Sequence, residues 1–181
     1  MTVSDTIFEG VKIISNTSYY DNRGCFYASY IEDEFRDKVG HYDFIQDNES
    51  TSHEGVIRGL HYQSGQFAQA KLVRVIRGSA IDVIVDIRKD SLTFGHHLSV
   101  ELNCDLKNQL MIPRGFAHGF ISLEDDTIFS YKIDNGYNPL AECGIKFDDS
   151  YLGIDWNQYN TKDLIISEKD LRLPKFKDII F

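Results

Sequence analysis

The chain has little of several things that would direct a reading elsewhere: three prolines, three cysteines, two methionines and one tryptophan in 181 residues. Cys25, Cys104 and Cys143 are scattered without a C-x-x-C spacing, and the odd count fits neither a disulfide framework nor a zinc site. They read as reduced thiols of a cytoplasmic protein. No stretch rich in proline, glycine or serine divides the sequence, which is long enough for one core, so residues 1–181 are expected to form a single domain. No run approaches the roughly 18 apolar residues of a membrane span, and residues 1–11 lack a basic cluster followed by an apolar segment. The expectation is a soluble, unexported chain with no membrane partner. A net charge of −9 argues against a nucleic-acid-binding face, while leaving room for a local basic pocket that holds phosphate. Basic residues matter by position here, and neither repeats nor low-complexity tracts occur.

What is present is mostly strand. Between residues 80 and 88, Ile81, Val83, Val85 and Ile87 alternate with Asp82, Ile84 and Asp86, the period-two pattern of a half-buried strand. A similar run begins at Lys71, so 71–88 reads as a hairpin with Gly78 at its tip. Further strands are expected at 26–31, 56–63, 98–102, 109–112, 117–123 and 128–133. Short strands joined by tight turns indicate an all-β sandwich or barrel. Helix is scarce: a short one at 32–39, and a helical turn at 167–170 opened by a Ser167 cap.

Several polar residues sit in or beside these strands. Arg58-Gly59-Leu60-His61-Tyr62-Gln63 carries a histidine whose strand face, shared with Gly59 and Gln63, has little bulk and some polarity. Such a face suits a binding cavity, although a hydrogen-bonded core histidine is an equal reading from the strand alone. Arg58 must find an anion if its strand is partly buried, and a carboxylate and a ligand phosphate are both open. Lys71 opens a strand, where lysines usually reach solvent. Tyr131 reads equally as a core aromatic, and Asp170 as the N3 acid of the turn capped by Ser167.

Pro113-x-Gly115-x-x-His118 resembles the second motif of metal-binding cupins. The first motif is incomplete, because His61-Tyr62-Gln63 supplies one histidine of the required pair and no acidic residue lies between His61 and Lys71. His96 and His97 are adjacent and would face opposite sides of a strand. A metal site is therefore not expected.

Taken in order, the motifs resemble one family. Asp21-Asn22-Arg23-Gly24-x-Phe26, Gln46-Asp47-Asn48-x-Ser50, Gly55 to Gln63, Lys71 to Val75, Asp82 to Arg88, Pro113 to Phe120, Tyr131-Lys132, Gly153 to Trp156 and Ser167 to Asp170 are similar to the dTDP-4-dehydrorhamnose 3,5-epimerases. Nearly the whole chain is covered, which is far more specific than any single short pattern. The resemblance implies a cupin-type jelly roll and an isomerase acting on a nucleoside-diphosphate 4-keto sugar. Such an enzyme inverts C3 and C5 through an enolate, without a cofactor, in the supply of activated sugars for surface polysaccharide. It implies His61 as base, Asp170 as the carboxylate supporting its imidazolium, Lys71 beside the oxyanion and Tyr131 as the acid. His118 would line the pocket, Arg23 and Arg58 would hold the diphosphate, Gln46, Asn48 and Ser50 would surround nucleotide and sugar, and Phe26 would stack on the base. It also implies a homodimer in which Arg23 and Phe26 complete the partner's site.

Two positions depart from the family pattern. Ala28 stands where a glutamate commonly contacts thymine, which opens the site to another base such as that of a GDP-sugar. Gly136 replaces the first of two aromatics after the acid tyrosine, which implies a wider pocket, suited to a heptose or to inversion at C3 alone. A 3,4-ketoisomerase on the same scaffold is the nearest alternative activity. A metal-dependent cupin oxygenase and a non-catalytic sugar-nucleotide binder are more distant ones.

Overall fold

A computed structural model describes residues 1–159 and 162–179. The chain opens with β1 (Thr2–Asp5), β2 (Lys12–Ser15), a short hairpin of β3 (Tyr19–Asp21) and β4 (Gly24–Phe26), and helix α1 (Glu32–Lys38). Then follow β5 (Gln46–Ser52), β6 (Val56–Gln63), β7 (Lys71–Arg77), β8 (Ser79–Asp86), β9 (His97–Asn103), β10 (Asn108–Ile112), β11 (Phe116–Ser122) and β12 (Thr127–Ile133). The chain continues with β13 (Glu142–Gly144), β14 (Ile165–Ile166) and α2 (Glu168–Leu171). One sheet runs β1-β2-β10-β7-β12-β5, and the facing one runs β13-β6-β11-β8-β9, with β14 also paired to β6. This is an all-β, cupin-type jelly roll, as the motifs implied.

The sheets enclose a layer of Val73, Val75, Ala80, Ile84, Val100, Leu102, Leu110, Ile112, Phe116, Phe120 and Phe129, contributed by six inward-facing strands. Each such side chain, alanine aside, contributes roughly 1.5–3 kcal/mol by leaving water. A second layer, including Ile57, Leu60, Val83, Val85, Ala117, Ile121, Phe147 and Trp156, packs behind the β6-β11-β8 sheet. Strand β8 is consequently buried along its whole length, not half-buried. Its alternation separates two cores, not core from solvent.

The expected hairpin at 71–88 is absent. β7 pairs with β10 and β12, whereas β8 pairs with β11 and β9, so Gly78 turns the chain from one sheet into the other. Its φ is +76°, and an added Cβ would lie 2.5 Å from Thr127 Oγ1. Only glycine fits that corner. The strand expected at 26–31 also stops early, at Phe26. Side chains of the sheet hold the segment beyond it instead: Arg74 donates to the Tyr27 hydroxyl and Gln109 to the Ser29 carbonyl, while Tyr30 packs on Phe35 and Phe44.

Candidate active site

At one end of the barrel the apolar inner layer gives way to polar residues in the same inward positions. Lys71 precedes Val73 on β7, His118 lies between Phe116 and Phe120 on β11, and Tyr131 follows Phe129 on β12. They line a cavity of about 540 Å³ together with Ser50, Arg58, His61 and Asp170. An adjoining cavity of about 280 Å³ shares His61, Lys71 and Tyr131 and adds Gln46, Asn48, Tyr137 and Glu142. His61 and Tyr131 come from opposite sheets, so a ligand between them meets one on each face.

Arg58 and His61 are three apart and would point to opposite sides of a regular strand. Both line the cavity because β6 bulges against β11: Arg58 faces Phe120 and His61 faces His118, so Gly59 and Leu60 oppose Gly119 alone. The bulge needs two glycines. An added Cβ on Gly59 would lie 2.6 Å from Gly119 Cα, and one on Gly119 would lie 2.7 Å from the Arg58 carbonyl. The shared face assigned to His61, Gly59 and Gln63 from alternation is thus broken by the bulge. Gln63 is buried, and its side-chain carbonyl accepts from the Asn138 backbone N–H.

His61 Nε2 lies 2.7 Å from Asp170 Oδ1. Asp170 Oδ2 accepts from the Gly59 backbone N–H, and the Asp170 N–H donates to the Ser167 cap hydroxyl. Ser167 therefore caps α2 as expected, but the N3 carboxylate spans to β6 and does not turn back on the cap. Burial alone would push the Asp170 carboxyl up; the His61, Gly59 and Ser167 contacts outweigh it and hold the group below its ordinary value. A carboxylate so held fixes the imidazole with Nε2–H toward Asp170 and leaves Nδ1 free to take a proton.

Lys71 lies under the Tyr131 ring, its Nζ 5.9 Å from the centroid. Burial lowers its pKa to about 8, against the opposing influence of Asp82. Burial raises the Tyr131 phenol above its ordinary value despite Arg58 nearby, which keeps it a proton donor. Arg58 is exposed and its guanidinium bonds neutral oxygens, Ser52 Oγ and the Thr51 carbonyl, both at 3.2 Å. Among the described residues it forms no ion pair, so its charge is available to an anionic ligand. The structural salt bridge that the sequence left open is not formed.

Two residues of the expected set stand apart. Arg23 and Phe26 lie on the projecting β3–β4 hairpin, both exposed, and Arg23 is paired with Asp21 at 2.6 Å. Neither lines the cavity of its own chain. Three other residues at the site escaped the sequence reading. Lys169 lines the main cavity and pairs with Glu142 at 2.6 Å, while Glu142 also accepts from Tyr137 at 2.8 Å. Asp82, wholly buried, accepts from His118 at 2.6 Å. Its signal was a carboxylate in the middle of Ile81-Asp82-Val83, which requires a buried partner. No group of three histidines, cysteines or carboxylates is placed to hold a metal ion among the described residues.

Comparison with known proteins gives the family and the fold. Residues 5–178 match the family model described as dTDP-4-dehydrorhamnose 3,5-epimerase. The chain is 45% identical to the protein of that name from Escherichia coli K12 over 181 residues, covering 99% of this chain and 97% of that one. A crystal structure of the Elizabethkingia anophelis protein of the same name superposes with a TM-score of 0.90 at 47% identity, over 98% of this chain and 97% of that one. A Legionella pneumophila dTDP-6-deoxy-D-glucose-3,5-epimerase, solved with dTDP-4-keto-L-rhamnose, gives a TM-score of 0.94 at 40% identity, over 99% and 94% of the two chains.

Proposed function

The chain belongs to the dTDP-4-dehydrorhamnose 3,5-epimerase family and is a sugar-nucleotide epimerase; from that premise we propose that it inverts C3 and C5 of a dTDP-linked 4-keto-6-deoxyhexose through enolate intermediates. The observation that carries the reading is the His61–Asp170 pair on one side of the cavity, with Tyr131 on the other and Lys71 between. The C4 ketone acidifies the hydrogens on its neighbours, because their loss leaves an enolate. His61 Nδ1 removes the proton, and Asp170 stabilises the resulting imidazolium. Lys71 meets the charge that develops on the C4 oxygen, where one preorganised donor in a dry site is worth on the order of 3 kcal/mol. Tyr131 returns a proton to the opposite face, which inverts the carbon. The reaction is redox-neutral and needs no cofactor.

Arg58 holds the diphosphate, with Gln46, Asn48 and Ser50 around nucleotide and sugar and His118 against the sugar. Residues 1–181 act as one epimerase domain in the cytoplasm, and the product supplies surface polysaccharide. The relatives are named for dTDP sugars, which supports thymidine over the GDP-linked sugar that Ala28 allows. An added Cβ at Gly136 would meet nothing within 4 Å, so a 4-keto heptose belongs in the assay set. Turnover of the dTDP-linked 4-keto-6-deoxyhexose at least about 100-fold above its GDP-linked counterpart is expected. Preference for the GDP-linked or heptose substrate would overturn the assignment.

The exposed hairpin supports a homodimer with shared sites, because Arg23, Phe26, Tyr19 and Tyr20 are exposed and line no part of the cavity that holds His61 in their own chain. Arg23→Ala is expected to raise KM about tenfold or more with a smaller change in kcat, as loss of a diphosphate contact should. At substrate well below KM, mixing R23A with His61→Asn subunits is then expected to give about a quarter of wild-type activity, above that of either parent, since half the dimers are mixed and each carries one intact site. Mixing that restores nothing, or a monomer by light scattering, contradicts the shared site.

A further inference from the structure

His118 has a partner that the proposed reaction does not use. Asp82 on β8 is fully buried; one of its oxygens, Oδ2, takes the His118 Nε2–H at 2.6 Å, and the other, Oδ1, has no hydrogen-bond partner among the described residues. His118 faces His61 across the β6–β11 ladder, so two histidine–carboxylate pairs stand side by side at one cavity. Burial pushes the His118 imidazole below its ordinary pKa, with Asp82 acting against it. A neutral ring with Nε2–H committed to Asp82 offers Nδ1 as an acceptor, which suits a sugar hydroxyl.

The charge of the Asp82 carboxylate also acts on Lys71 through space, without a direct ion pair. The charged and titratable groups that share the lysine's cavities or act on it are Asp82, His118, His61, Arg58 and Tyr131 on strands, Lys169 and Asp170 on α2, Glu142 on β13, and Tyr137. The lysine's cross-strand neighbours, Ile112 and Ile133, are apolar. Asp82 is the only carboxylate acting on Lys71 in this set. A buried ammonium with no anion nearby would lose its proton, and a neutral amine cannot stabilise an enolate.

We propose that Asp82 is a positioning residue of this site, Oδ2 fixing His118 as the Nε2–H tautomer and the charge of the carboxylate holding Lys71 as an ammonium; the inference rests on the epimerase reading above. Asp82→Asn separates the two tasks, because the amide oxygen still accepts from Nε2–H while the charge is gone. Activity requires the ammonium and therefore falls as pH rises through the Lys71 value of about 8. Loss of the negative charge lowers that value, so the basic limb of the pH–kcat/KM profile in D82N moves to lower pH by about one unit. At pH 8 kcat/KM falls about tenfold. In Lys71→Arg, whose guanidinium stays charged, that limb disappears.

A merely structural Asp82 would lower the thermal midpoint and leave the limb in place, and an unmoved limb overturns the inference. Should D82N not fold, ¹⁵N-histidine NMR of the wild-type protein decides. His118 protonated at Nε2 between pH 6 and 8 supports it, and protonation at Nδ1 overturns it. Wild-type protein that neither turns over nor exchanges deuterium overturns the epimerase reading itself, and this inference with it. Wild-type turnover beside an unmoved limb overturns this inference alone.

Discussion

His61→Asn is expected to abolish the incorporation of solvent deuterium at C3 and C5 of a dTDP-linked 4-keto-6-deoxyhexose, with kcat/KM lower by about 10³-fold or more. Among the groups lining the cavity, the His61 ring has the geometry of a base: Nε2 is bound to a buried carboxylate at 2.7 Å, so Nδ1 is the free lone pair. Asparagine retains a polar side chain able to bond Asp170, which keeps the local fold, but it has no basic nitrogen. The carboxylate itself is not an alternative base. Both its oxygens are occupied, one by His61 and one by the Gly59 N–H, and its pKa is held low. The measurement is NMR of recovered sugar nucleotide after incubation in heavy water, with dTDP affinity as the control for an intact site. Deuterium incorporation in H61N within a few-fold of wild type, at normal dTDP affinity, would move the base elsewhere.

How far this site could be read from sequence depended on what each strand faces. β6 and α2 were legible because they obey local rules: an apolar run beside polar positions, and a serine three residues before an acid. Asp170 sits at N3 as read, but only its backbone N–H serves the Ser167 cap, while its carboxylate oxygens go to His61 and Gly59. β5 was invisible. In Gln46–Ser52 the inward positions Asn48, Ser50 and Ser52 are polar because they face a polar cavity, while Asp47, Glu49 and Thr51 face outward. Alternation of polar with charged residues carries no hydrophobic period. A binding strand thus erases the signal by which strands are found.

The remaining errors share a cause, which is that sheet membership is non-local. The run 71–88 alternates like a hairpin, and nothing within it discloses that β7 and β8 bond to different sheets. Asp82 was assigned to the polar side of a half-buried strand, although that side faces the barrel interior and His118. Arg58 and His61 join one cavity only through a bulge whose need for Gly59 and Gly119 is set by the neighbouring strand. Family resemblance gave neither the role of Asp82 nor the sheets of β7 and β8, but put Arg58 and His61 in one site in advance of any structure. Physical reading of the isolated strands did not.

Tyr131→Phe separates proton removal from inversion, and its expected result differs in kind from that of H61N. His61 on β6 and Tyr131 on β12 belong to facing sheets, so a carbon held between them is deprotonated from one side and reprotonated from the other. The variant keeps His61, Asp170 and Lys71, and the enolate still forms. On the face from which the proton left, the imidazolium exchanges its proton with solvent and returns deuterium to the carbon. Y131F should therefore incorporate deuterium with retention of configuration, while net epimerisation falls by about 10²–10⁴-fold, the usual worth of a general acid. Burial favours this division of labour, because it raises the phenol's pKa above its ordinary value and so keeps it a proton donor. Arg58 opposes that rise without reversing it. Removing the hydroxyl leaves the ring and its contact with Lys71 in place, so stability should change little. Parallel loss of exchange and inversion would mean that the phenol acts before the enolate forms, as a ligand of the ketone, and the acid would have to be sought elsewhere. Retained inversion would have the same consequence by a shorter route, since a phenylalanine has no proton to give.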